Sequence, residues 1–412
     1  MNELQRNVVI IGGGPAGLAA AVALAREGVS GILVAEREDT LGGILRQCIH
    51  DGFGLVRFGE SLSGPEYAQR FIDKAEQLGI ECLTGTTVLS VTPDKVVTLV
   101  SREGMRRVRA KAIVLAMGCR ERTRGALGIP GERPAGVFTA GVAQAYINLC
   151  NRMIGREAVI LGSGDIGMIM ARRLTLEGAH VQAVFEIQPI PSGLPRNIEQ
   201  CLNDYGIPLL LSHTITEIHG RARVEGVTVS QVDAKLQPIP GTEKRYDCDT
   251  VILSVGLLPE NELSLDAGVT LDARTHGAVV DEFLQTNRPG FFAAGNVLHV
   301  HDLVDDVSRE AEHLAQGVAA YLRDGALPEC PIRLTCGEGV GHVLPQRISG
   351  KSDVLLSMRP ARKHGRCSVV LRQGGRELQR QTLRKALPAE MIQFNLLHGG
   401  IAGNEEIEVS LE

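Results

Sequence analysis

The sequence predicts an α/β protein: two doubly wound units of the same design, followed by a small antiparallel β domain. Three observations predict it. The stretch from Val8 to Glu36, beginning VVIIGGGPAGLAAAVALAREG, recurs 150 residues later as AVILGSGDIGMIMARRLTLEG and ends at Glu186. Gly12, Gly14, Gly17, Ala21, Gly28 and Glu36 match Gly162, Gly164, Gly167, Ala171, Gly178 and Glu186 one for one. Finally, the last 80 residues drop this pattern for a period of two, with Ile407, Val409 and Leu411 alternating with Glu406, Glu408, Ser410 and Glu412.

Each copy is a short apolar run, a G-x-G-x-x-G turn, a helical stretch stopped by Gly and a second strand ending in Glu. This pattern is the dinucleotide fingerprint. The first Gly makes the tight turn, and the second lets backbone approach a pyrophosphate at the helix N-terminus. The third packs helix on strand, and the Glu accepts from ribose hydroxyls. Pro15 and Ala16 complete the first turn, Asp165 and Ile166 the second. Two full copies imply two bound dinucleotides.

After Glu36 the chain runs LGGILRQCIHDGFG from Leu41 to Gly54, a long glycine-containing loop suited to lie along an extended cofactor. KAIVLAMGCRER, Lys111 to Arg122, is a buried strand broken at Gly118, and TNRPGFFAAGNV, Thr286 to Val297, is a turn, a short apolar strand and a Gly. DTVILSVGLLP from Asp249 reads as a returning strand. Val307, Ala311, Leu314, Ala315, Val318 and Leu322 have helical spacing over Asp306 to Leu322. In the last domain SVVLRQ and RELQRQTL flank Gly374-Gly375, a two-residue hairpin signal.

Composition narrows the function classes. At 412 residues the chain is long enough for two or three domains, 44% hydrophobic and 22% charged residues suit a soluble globular protein, and a net charge of −5 gives no electrostatic case for nucleic acid. The first strand is reached by Val8, which leaves no room for a signal peptide, and no apolar run has transmembrane length. Nine cysteines without paired spacing point to reduced thiols in a cytoplasm. The absence of C-x-x-C weighs against a dithiol centre or an iron–sulfur cluster.

The three pieces around Gly42-Gly43, Ala116-Met117-Gly118 and Gly295-Asn296-Val297 resemble the FAD-binding elements of the two-dinucleotide flavoprotein oxidoreductases, the pyridine nucleotide-disulphide oxidoreductase-like superfamily of thioredoxin reductase and dihydrolipoamide dehydrogenase. Ala116-Met117-Gly118 looks like the family's A-T-G motif. Ala294-Gly295-Asn296 looks like its second FAD motif, with Asn296 where an Asp is usual. The resemblance covers residues 1 to about 328 and implies a discontinuous FAD domain, 1–118 and 250–328, with the NAD domain 119–249 inserted and 329–412 as the C-terminal β domain. It implies FAD and NAD(H) as cofactors, with Arg37, Ile44, Gln47, Cys48 and Val88 joining the glycines and Glu36 around the cofactors, and Val255-Gly256 where nicotinamide meets flavin. A hydride then passes between nicotinamide and flavin without a side-chain acid or base.

Gln47-Cys48-Ile49-His50, Gly52-Phe53-Gly54, SGPEYAQRF from Ser63 and GNVLHVHDLVDDVSREAE from Gly295 narrow the likeness. With Val343-Leu344-Pro345-Gln346 and the terminal IEVSLE, they resemble the bacterial NAD/FAD flavoproteins that accompany anaerobic glycerol-3-phosphate dehydrogenase-like subunits. Alpha subunits of opine, hydroxyproline and sarcosine dehydrogenases are more distant relatives. This resemblance implies an oligomer or heteromeric complex in which electrons pass between NAD and a partner flavoprotein dehydrogenase, together with a small cysteine-rich subunit. Glu186, followed by Ile187, Gln188 and Pro189 rather than Arg or Lys, favours NAD over NADP.

Three polar features have both a functional and a structural reading. Cys48 is either an inert thiol lining the cofactor loop or, with His50 lowering its pKa, a peroxidatic thiol of a stand-alone NADH oxidase or peroxidase. His299, His301, Asp302, Asp305 and Asp306 have metal-ligand types, but no second cluster completes a site and no metal is expected. His301 is instead a candidate flavin-edge donor or proton relay. Residues 331–412 carry 12 Lys/Arg against 8 Asp/Glu, and Arg359, Arg362, Lys363, His364 and Arg366 form either a solvated basic loop or a dock for an acidic partner. A third functional class, a scaffold subunit with structural FAD and an idle NAD site, is opposed by the intact second fingerprint.

Overall fold

A computed structural model describes residues 3–412, which divide into two compact units. One comprises the residues through Cys119 together with Pro259–Glu412, the other Arg120–Leu258.

The first unit is organised on a sheet in which Glu81–Leu83, Ile32–Ala35, Glu3–Ile11 and Gly104–Leu115 lie side by side, all parallel. Val8–Ile11 and Ala112–Leu115 are buried on both faces, which is why these runs are continuously apolar rather than alternating. Gly104–Leu115 is long enough to serve two neighbours along one edge. Its first half pairs antiparallel with Val96–Ser101, and its last three residues pair parallel with Phe291–Ala293. The late segment is thereby returned to the sheet beside the first glycine turn.

Two further helices close this unit. Gly64–Gln77 begins with a complete capping box between Ser63 and Glu66 and buries Tyr67, Ala68, Phe71 and Ala75 at helical spacing. Val304–Asp324 buries Val307, Ala311, Leu314, Ala315 and Val318 and stops at Gly325, whose φ of +79° only Gly adopts readily. The Tyr67 hydroxyl meets Ser308 Oγ at 2.8 Å in the interior between them.

The second unit has an all-parallel sheet ordered Leu209–Leu211, His180–Glu186, Glu157–Leu161, Thr250–Leu253 and Val137–Thr139. A three-stranded antiparallel sheet, His213–His219, Gly226–Gln231 and Lys244–Tyr246, accompanies it. Here the structure differs from the sequence expectation. Thr250–Leu253 was expected to open the returning FAD segment, but it pairs with Glu157–Leu161 and belongs to the inserted unit, which runs to Leu258. A buried apolar run announces a parallel strand without saying which sheet receives it.

The C-terminal segment packs two sheets around its own core of Ile332, Val343, Leu356, Val369, Phe394, Ile407 and Val409. Its hairpin turns at Gly374 and Gly375, with φ of +56° and +80°. Its pairings are antiparallel except that Ile332–Cys336 runs parallel to Ile407–Leu411. Among the described residues, no helix is long and apolar enough to cross a membrane.

Candidate functional site

The two glycine turns leave their helices open. Pro15–Arg26 and Asp165–Leu176 both have Gly at the N-cap, Gly14 and Gly164, and neither cap has a side-chain hydrogen bond. The remaining N–H groups of the two glycine turns and the positive ends of the helix dipoles suit a pyrophosphate. The glycines are required by contact. A Cβ on Gly12 would sit 2.3 Å from the Ala116 carbonyl oxygen, one on Gly17 1.8 Å from that of Gly12, and one on Gly162 2.0 Å from that of Ser254. On Gly167 a Cβ would lie 2.7 Å from that of Ser254, whose Oγ accepts from the Gly167 N–H at 3.1 Å. Ser254 was not legible in the sequence, because only the tertiary fold sets it against the turn.

The strand-end glutamates are buried, 6% and 5% exposed for Glu36 and Glu186. Glu36 accepts from the N–H groups of Gly13 (2.8 Å) and Glu38 (2.9 Å), and Glu186 from those of Ser163 (3.0 Å) and Gln188 (3.0 Å). Glu186 also receives the hydroxyls of Ser163 (2.6 Å) and Ser192 (3.2 Å). The chain then folds back over each turn. Gly42 N–H donates to the Gly13 carbonyl, and a Cβ on Gly43 would lie 2.9 Å from Gly14 Cα. In the second unit Ser192 N–H donates to Ser163 Oγ, and a Cβ on Gly193 would lie 2.8 Å from the Ser163 carbonyl oxygen and 2.7 Å from Asp165 Oδ1. Gly43 and Gly193 are again 150 residues apart, so the duplication extends past the glutamates. The sequence held that signal, hidden by the unlike neighbours Leu41-Gly42 and Pro191-Ser192. Asp165 Oδ1 holds this loop by accepting from Leu194 N–H (2.8 Å) and Asn197 Nδ2 (2.6 Å).

Gly295 closes the first cradle. With φ of +78°, its missing Cβ would lie 2.7 Å from that of Ala16. Its N–H donates to Glu310 Oε1 at 2.7 Å, while Glu310 Oε2 lies 2.8 Å from His299 Nε2 and 3.3 Å from His301 Nε2. Asn296 Oδ1 accepts from the His301 backbone N–H (3.1 Å) and lies 3.3 Å from its Nδ1, and Asn296 Nδ2 donates to Cys119 Sγ at 3.6 Å. Burial opposes charge on Glu310, but the two histidines outweigh it and hold the carboxyl well below the usual range. Burial likewise opposes charge on His301, yet Glu310 raises its pKa, whereas burial lowers that of His299. Glu310, which no motif singled out, is thus the centre of the cluster.

The sequence profile of the pyridine nucleotide-disulphide oxidoreductases matches residues 6–318. The chain belongs to this family. It is an FAD-dependent NAD(P)H oxidoreductase, and the glycine contacts, open helix starts and buried glutamates fit both cofactors. It is 26% identical over 319 residues to hydrogen cyanide synthase subunit HcnB of Pseudomonas protegens, covering 71% of this chain and 66% of that one. Its identity to Listeria innocua thioredoxin reductase is 27% over 293 residues, covering 71% and 85%. The crystal structure of T. acidophilum thioredoxin reductase superposes with a TM-score of 0.64 at 25% identity, covering 77% of this chain and 99% of that one.

The remaining candidates of this oxidoreductase fall into distinct settings. Cys48 follows the short helix Gly43–Gln47, with its Sγ 3.4 Å from the Ile44 carbonyl oxygen, and burial pushes its thiol up to about 12. It is therefore protonated at neutral pH, the wrong state for a peroxidatic nucleophile. His50 stacks on Phe53 at 5.0 Å and donates from Nδ1 to the Asp51 carbonyl. Gln47 and Val297 are buried, Ile44 is 55% exposed, and Arg37 extends outward with its Nε 3.8 Å from Glu38. Val88 and Met117 pack on the first core, and Ile166 and Val255 on the second unit's cores. Gly118 and Gly256 have φ of +73° and +101° with open space where a Cβ would stand.

Of the five metal-type residues of the sequence, His299 and His301 come together, beside Glu310, while the three aspartates bind elsewhere. Asp302 binds Arg359 (2.6 Å) and the Met391 N–H, Asp305 accepts from the N–H groups of Val56 and Arg57, and Asp306 pairs with Arg309. Asp305 thereby ties the start of helix Val304–Asp324 to the segment just after the Leu41–Gly54 loop. The expectation of a single basic loop also changes. Arg359 ends a strand and donates to the carbonyls of Val300 and Pro388, while Arg362 pairs with Glu338.

Proposed function

We propose that the chain is the NAD-linked flavoprotein of a two-protein electron-transfer system, acting with a flavoprotein dehydrogenase of the glycerol-3-phosphate or amino/hydroxy acid type. The observation that carries this reading is Cys48. Burial keeps its thiol protonated, the Leu41–Gly54 loop holds no second cysteine, and the sequence contains no C-x-x-C pair to which electrons could pass within the chain. Electrons then leave to another molecule. The similarity to HcnB, a synthase subunit, supports a partner, and nine cysteines without a disulfide support the cytoplasm.

The chain's own residues bind and orient. Gly12, Gly14, Gly17 and the start of helix Pro15–Arg26 hold FAD with Glu36, and Gly162, Gly164, Gly167 and Glu186 hold NAD. FAD, when bound, supplies the hydride-accepting ring system. Glu186 favours NAD because a buried carboxylate ringed by hydroxyls repels a 2′-phosphate, and no Arg or Lys stands in the next three positions.

The test is capture of the tagged chain from its native host, with bound proteins identified and then reconstituted. A second flavoprotein that exchanges electrons with NADH only through this chain is the expected result. A chain purified alone that turns over NADH with peroxide at full rate would refute the partner.

A further inference from the structure

His299, His301 and Glu310 form a buried cluster that the hydride-transfer reading does not use, and it abuts the cofactor cradle. Their donor atoms all lie within 4.8 Å of one another. A metal would need to separate His299 Nε2 from Glu310 Oε2, yet these atoms are 2.8 Å apart, a hydrogen-bond distance. A proton fits where an ion does not.

The hydrogen-bond partners say where that proton resides. Both ring nitrogens of His301 face acceptors, Nε2 toward Glu310 Oε2 and Nδ1 toward Asn296 Oδ1, each at 3.3 Å. A ring flanked by acceptors on both sides is best satisfied as the imidazolium. His299 is different. Its Nε2 donates to Glu310, but its buried Nδ1 has no hydrogen-bond partner among the described residues, so its ring is satisfied as the neutral tautomer. Asn296 completes the arrangement. With a carboxylate at this position the cluster would carry an extra negative charge, whereas the amide accepts from His301 and leaves the His301–Glu310 pair neutral overall.

We propose that Glu310 is a positioning residue of the flavin site, which holds His301 as an imidazolium against Asn296 and, through the Gly295 N–H, fixes this cation beside the FAD cradle. A fixed cation there favours the electron-rich, reduced state of the cofactor. Other charged and titratable groups face the His299–His301–Glu310 cluster from each packed element, Asp306 toward His301, and His342 and Arg359 toward His299. Asp306 lies on the helix that carries Glu310, and His299 two residues before His301. His342 comes from strand Val340–Leu344, and Arg359, neutralised by Asp302, from strand Val354–Pro360.

The experiment is nitrogen-15 NMR of histidine-labelled, FAD-loaded protein between pH 6 and 8, paired with the flavin midpoint potential over the same range. In the wild type one ring carries protons on both nitrogens throughout, and its signals vanish in His301→Gln. In Glu310→Gln that ring titrates within the range, the midpoint potential acquires a break at the same pH, and bound FAD is retained. Glu310→Asp restores the wild-type profile in part. A His301 ring that is neutral at pH 7 in the wild type, or a Glu310→Gln potential with the wild-type pH dependence, overturns the proposal. So does one equivalent of metal per chain that is lost in His301→Gln.

Discussion

Glu36 and Glu186, 150 residues apart, grip their own glycine turns in the same way. Each carboxylate accepts from the N–H following the first glycine and from the N–H two residues beyond itself. Position and backbone partners both repeat, so each glutamate braces its own turn.

Replacing Glu186 by Ser should therefore weaken NADH by roughly 1.5–3 kcal/mol, the scale of hydrogen bonds to a charged group. FAD content should not change, because Glu36 serves the other turn. NADH titration monitored by flavin reduction, with bound FAD measured in parallel, checks both halves.

Gly193→Ala tests the loop that folds over the second turn. The new Cβ would meet Met168 Cε at 2.4 Å and Asp165 Oδ1 at 2.7 Å, so the loop must lift from its place beside Glu186. We expect weaker NADH binding with FAD content and folding intact. Unchanged NADH affinity would show that this loop plays no part in the nucleotide site.

Much of this was legible in the sequence, for a physical reason. Glycines that must lack a Cβ and a glutamate that must end a strand are local demands, so Gly12, Gly17, Gly162 and Glu186 carry their meaning in their spacing. Ser254 and Glu310 do not. Each acts on a glycine or histidine brought to it only by tertiary packing, and Glu310 reads as one more polar residue on an amphipathic helix. Thr250–Leu253 reads equally as a strand of either unit, because buried parallel strands are alike in sequence, and only its pairing with Glu157–Leu161 places it. Gly193 was readable at its 150-residue offset from Gly43, but the residues preceding the two glycines share no chemistry.

Cys48→Ser should leave flavin reduction by NADH and dye reduction nearly unchanged. Burial holds the thiol protonated, and a serine hydroxyl fills the same space. Comparison of NADH consumption with peroxide and with dye decides it: a large peroxide activity abolished in the mutant would make Cys48 the working nucleophile.

His342 should make the protein acid-sensitive. Burial first, then the neighbouring His299 and Arg359, lower its pKa to about 4, and its buried Nε2 has no hydrogen-bond partner among the described residues. An unfolded histidine titrates near about 6.5, so between these values the unfolded chain binds a proton that the folded chain refuses. Stability therefore falls as pH drops from 6.5 toward 4, by up to roughly 3 kcal/mol from this residue. His342→Leu should flatten that part of the curve, as read from urea midpoints at a series of pH values.

The most direct test of an NAD-linked flavoprotein is anaerobic stopped-flow mixing of the FAD-loaded protein with NADH and, separately, NADPH. The expected result is bleaching of the flavin band by NADH at lower concentration and higher rate than by NADPH. Faster reduction by NADPH at lower concentration, or no bleaching by either nucleotide, would contradict it.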